Sequence, residues 1–164
     1  MMNIERWNRV YKTNMELDSI YEKKYGNDAR IFDQNCIELM VEIGEFLNET
    51  KVFKYWLNKL PDKEKELEEY ADVIIMILYF YKEHNLKIEE LQFNIEEKDT
   101  INLIKILYDK ACSFLKTNKK EILEELFYYI LFIGNILEFD EDEILSAIEN
   151  KQKKNIKRFD TGYF

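Results

Sequence analysis

The sequence predicts an all-α protein, a helical bundle of about six helices, and two observations carry that expectation. Leu, Ile, Glu and Lys dominate, whereas the 164 residues include only four glycines and one proline to interrupt helices. Apolar residues also recur every three or four positions through most of the chain, which is the period of an α-helix. The length suits a single domain, residues 1–164, with a sizeable core. A net charge of −9 argues against a general nucleic-acid binder. The polar N-terminus has no signal-peptide pattern, and the longest apolar run, Val73 to Tyr81, is too short to span a membrane. Cys36 and Cys112 lie within helical apolar patterns without metal-ligand spacing. They read as small core residues of a reducing, cytoplasmic protein.

The first helix is expected from about Ile4 to Lys24, on a stripe of Ile4, Trp7, Tyr11, Asn14, Leu17 and Tyr21. Asn14 is its polar member, either a hydrogen-bonded core amide or a group that recognises a ligand. Tyr25 to Asp28 is a turn, with Asp28 as the expected N-cap of the second helix, which runs to about Glu49. Apolar residues wrap most of that helix. Asn35, Glu38, Glu42, Glu45 and Glu49 form its polar stripe. Lys51 to Leu60 is a short connection holding Phe53, Lys54, Tyr55 and Trp56, which can wall a pocket or close the core. Pro61-Asp62 opens the third helix, which reaches about His84. Lys87 to Lys98 reads as a loop with one short helical or extended piece. Thr100–Lys116 and Glu121–Leu137 are two further amphipathic helices, broken near Asn118. Neither carries an organised charged constellation, so both read as scaffold or dimer surface. Asp140 to Glu143 is a capping box that starts the last helix.

The chemistry concentrates between Glu38 and Phe80. Glu42 and Glu45 stand i, i+3 on the second helix, and Glu69 and Asp72 stand i, i+3 on the third, so each pair shares a helix face. Like charges at that spacing repel, and the neighbours are apolar. Carboxylates beside apolar surface call for a cation, and an all-oxygen set suits Mg²⁺ or Mn²⁺. The plainer reading is two solvated acidic faces. A di-iron carboxylate bundle would want two Glu-x-x-His motifs, and the single histidine, His84, has no glutamate three residues before it. The tail reverses the charge with Lys151, Lys153, Lys154, Lys157 and Arg158, which can complement a helix dipole or grip phosphate.

EIGE, FKYW and EEYAD, in that order, resemble motifs of the dimeric, all-α dUTPase family, one of the MazG-like nucleoside triphosphate pyrophosphohydrolases. The resemblance runs from about Tyr11 to Tyr163. The family's closing motif is matched at Lys151, Asn155, Arg158, Gly162 and Tyr163, with Gln152 and Phe159 as departures. Asn14 stands where the family has a glutamine. The resemblance implies hydrolysis of dUTP, and of dUDP, to dUMP, with pyrophosphate released from dUTP, by a homodimer. It implies that Glu42, Glu45, Glu69 and Asp72 hold about two or three Mg²⁺ ions, with Mn²⁺ as substitute and Glu45 activating the water. It also implies base recognition by Asn14, pocket walls from Lys54, Trp56 and Phe80, and phosphate contacts from Lys151, Asn155, Arg158 and Tyr163. Gly162 would let the tail close over a ligand. Two alternatives stand beside this: a related pyrophosphatase with another base choice, such as dCTP, and a non-catalytic helical protein that binds a regulator.

Overall fold

A computed structural model describes residues 2–26 and 32–162. Among the described residues six α-helices follow one another: α1 Ile4–Tyr25, α2 Phe32–Thr50, α3 Lys63–Glu83, α4 Thr100–Thr117, α5 Lys120–Ile136 and α6 Glu141–Thr161. No strand occurs among the described residues. The expected N-cap Asp28 and the tail residue Tyr163 lie outside them. At several other boundaries a cap sets the end, whereas α5 starts after Lys119 with no side-chain cap. The Asp62 side chain accepts from Glu64 N at 3.2 Å and starts α3. Asn118 ends α4 in the left-handed region at φ 49°. Asp140 and Glu143 exchange side-chain and backbone bonds of 2.7 and 3.0 Å at the start of α6.

The connection 84–99 holds neither helix nor strand, so it is a loop as expected, without a short helical piece. Its single apolar residues anchor it separately: Ile88 is buried, and Leu91 and Ile95 pack on the core. A side chain takes over part of the backbone pairing, since Asn94 N donates to Tyr128 Oη at 2.7 Å.

The axis of the bundle is α3, which packs against α1, α2, α5 and α6. From Tyr70 to Tyr81 its side chains are buried on nearly every side, as an all-round apolar helix must be. Tyr70 locks α3 to α5 by donating to Ile130 O at 2.9 Å. This close approach requires glycine at 134, where an added Cβ would lie 2.5 Å from Tyr70 Oη. A second lock joins α1 to α6. Arg6 grips Glu149 with two bonds of 2.9 and 3.0 Å, and reaches Asp142 at 2.9 Å. Gln152, one of the departures from the family motif, is buried and donates to Val10 O at 2.8 Å. It is a strut between α6 and α1, which sets the tail of α6 alongside α3.

Candidate active site

A cleft of about 520 Å³ opens between α1, α2, α3 and α6, within the usual range for a small-ligand site. One wall is acidic. Glu42 on α2 and Glu69 and Asp72 on α3 each turn a carboxylate oxygen to within 4.8 Å of the other two. The i, i+3 spacing on each helix, and the tight packing of α2 on α3, bring about that convergence. Glu45 lines the same cleft one turn along α2, more exposed than the three. Burial, together with the charges of Asp72, Glu45, Glu38 and Glu69, pushes the Glu42 carboxyl from its ordinary 4.5 up to about 7. Burial also raises Glu69 and Asp72, against the opposing pull of Lys151. An all-oxygen set held this close, against its own repulsion, fits a hard divalent cation.

The facing wall belongs to α6, which contributes Lys151, Asn155, Arg158 and Phe159. Lys151 Nζ stands 2.5 Å from Asp72 Oδ2 and 3.4 Å from Glu68 Oε1, and Lys154 Nζ stands 2.7 Å from the same Glu68 oxygen. Burial disfavours the Lys151 ammonium, but the bond to Asp72 and the charges of Asp72, Glu68 and Glu69 outweigh it, so its pKa ends above the ordinary lysine value. The floor is formed by Asn14, Leu17, Asp18 and Tyr21 of α1, with Ile75 and Met76 of α3. Asn14 is buried there, and its Nδ2 lies 3.4 Å from Ile75 O. Asn14 is therefore a buried amide that also lines the cleft.

The structure thus gathers Glu42, Glu45, Glu69, Asp72, Asn14, Lys151, Asn155 and Arg158 around one cavity. It does not bring Lys54, Trp56 or Phe80 there. Phe80 is 1% exposed and packs edge-on against Phe32 and Phe114, because its position on α3 turns it to α2 and α4. Trp56 is 60% exposed and stacks edge-on with Phe53 and Tyr55 outside the core. Lys54 Nζ is held by Asn48, at 2.6 Å from Oδ1 and 3.1 Å from the carbonyl. Gly162 caps α6 at φ 69°, donating to Arg158 O, so its left-handed backbone ends the helix.

Several cleft residues escape a motif-based reading. Glu68 stands beside Glu69 but shares the face of Asp72, one turn on, and the i, i+4 spacing was the available signal. Glu38 extends the α2 stripe into the cleft. Phe159 lines the cleft where the family motif has glutamine, and packs on Tyr21 with ring centroids 6.0 Å apart.

No helix among the described residues is long and apolar enough to cross a membrane. No curated protein matches the chain significantly. A protein-family model described as dUTPase matches residues 6–163, nearly the whole sequence and every wall of the cleft. With the convergent acid trio and the facing basic tail both inside that match, the chain belongs to the all-α dUTPase family and is a dUTP diphosphatase.

Proposed function

We propose that the enzyme hydrolyses dUTP, and also dUDP, to dUMP in a Mg²⁺-dependent reaction that releases pyrophosphate from dUTP. The observation that supports it is the opposition of an acid trio on α2 and α3 to the cations of α6 across one cleft. Glu42, Glu69 and Asp72, with Glu45 beside them, would hold about two or three magnesium ions, and Mn²⁺ would substitute. Bound magnesium supplies Lewis acidity and lowers the pKa of water toward neutrality. Glu45 has the role of orienting the attacking water and taking its proton, since its greater exposure leaves it open to solvent. Lys151 and Arg158 neutralise the phosphate oxygens, and Asn155 donates to them. Asn14 offers a donor and an acceptor in one buried amide, which matches the alternating edge of uracil.

The proposed form is a homodimer in the cytoplasm. Support for the dimer lies in exposed apolar groups that α4 and α5 mostly lack: Ile37 and Val41 on α2, and Tyr55, Trp56 and Leu60 in the following connection. The two free cysteines fit a reducing compartment. A panel of dUTP, dCTP, dTTP and UTP with Mg²⁺, read by pyrophosphate release, tests the substrate. The expected result is a kcat/KM for dUTP well above the rest, abolished by EDTA. Equal rates on dCTP would replace uracil selectivity with a broader pyrophosphatase activity. Light scattering at micromolar concentration should return twice the 20.1 kDa chain mass, and a Trp56→Ser, Leu60→Ser double variant should return one.

A further inference from the structure

Glu68 is absent from the acid trio, yet it lines the same cleft. It precedes Asp72 by four residues, one helical turn, so the two carboxylates project from one side of α3. Lys151 is shared between them, 2.5 Å from Asp72 Oδ2 and 3.4 Å from Glu68 Oε1. Lys154 adds a second ammonium to Glu68 at 2.7 Å. The two acids face different fates. The Asp72 oxygen belongs to the convergent trio, where a divalent cation would repel an ammonium already in contact with it. Glu68 stands outside that trio and keeps its lysines.

We propose that Glu68 is a positioning residue that takes over Lys151 when a divalent cation occupies the Asp72 oxygens. Together with Lys154, it then holds two ammonium groups at the edge of the cleft. The inference rests on the reading of the trio as a cation site. It has a thermodynamic consequence for the free enzyme. In the absence of nucleotide, Lys151 competes with the cation for Asp72, and Glu68 relieves that competition by giving Lys151 another acceptor. Without Glu68, the ion pair left to the ammonium among the described residues is the one to Asp72, and the cation must displace it at full cost.

The test is a double-mutant cycle on the full chain without nucleotide, with Mn²⁺ binding followed by calorimetry. The four proteins are wild type, Glu68→Gln, Lys151→Met and the double variant. Glu68→Gln should weaken Mn²⁺ binding about three- to fivefold in the wild-type background. With Lys151→Met already present, the same change should matter by less than about twofold. A merely lost negative charge predicts equal decrements in both backgrounds, and that result overturns the inference. Glu68→Asp keeps the acceptor and should recover most of the affinity, whereas an Asp variant as weak as the Gln variant counts against it. If wild type binds Mn²⁺, Glu42→Gln abolishes binding and the cycle is additive, the role of Glu68 falls while the metal site stands. If wild type binds no Mn²⁺, both fall together.

Discussion

The two walls of the cleft are built on opposite terms. The acid wall rides on α2 and α3, whose reverse faces are the core itself: Leu39, Ile43, Phe46, Tyr70, Val73 and Ile74 are buried directly behind it. Glu42, Glu69 and Asp72 are partly buried there, repel one another and are raised in pKa. The basic wall rides on the last turns of α6, where Lys154 and Arg158 are exposed. Lys151 and Lys154 find partners in acids of the other wall. On the proposed reading, the buried acid wall would hold the cation, and the exposed basic wall would meet the substrate. On the proposed reading, repulsion among the three acids would make cation binding favourable.

The comparison breaks first, and hardest, at Glu45. Glu45→Gln should lower kcat by about 10²-fold or more, while the melting temperature stays within about 2 °C because the side chain is exposed. Unchanged kcat would remove the proton-transfer role. The basic wall should fail by degrees instead. Arg158→Ala and Lys151→Ala should each weaken nucleotide binding by about 1.5–3 kcal/mol, more for dUTP than for dUMP. Equal losses on both nucleotides, measured by titration calorimetry, would make the wall structural.

Rigidity behind the acid wall can be tested without touching it. Gly134→Ala drives a methyl against Tyr70 Oη and should cost about 1–3 kcal/mol of stability, seen in urea denaturation, with kcat/KM of the folded enzyme preserved. The smallest effect concerns pH. Glu42 keeps its proton up to about 7 in the folded chain, against an ordinary 4.5. The folded state therefore binds more protons between those values. The contribution is fully present below the ordinary value and is lost as pH rises through about 7. In EDTA the protein should melt lower at about pH 8 than at about pH 5.5, and Glu42→Gln should flatten that slope. Magnesium should oppose the loss at the higher pH, because it binds the ionised carboxylates.

How much was legible follows from what helical periodicity encodes. The six helices, the Asp62 cap and the Asp140 box were readable from local chemistry, since each depends on residues within one or two turns. So were the four acids and the basic tail, because i, i+3 spacing gives an angle about the residue's own helix axis. Local spacing does not say which neighbour a face will meet. Phe80, expected at the base, went into the core because α2 and α4 cover its side of α3. The aromatics around Trp56 are exposed and do not line the cleft. Gln152, a departure from a motif in the sequence, became a strut once Val10 O stood opposite it. The sequence by itself determined the helices, their acids and their cations. The tertiary structure alone decided that three carboxylates converge, that burial lifts Glu42 to about 7, and that Lys151 stands between two acids. Burial and through-space charge are properties of the assembled helices, and no single helix possesses them.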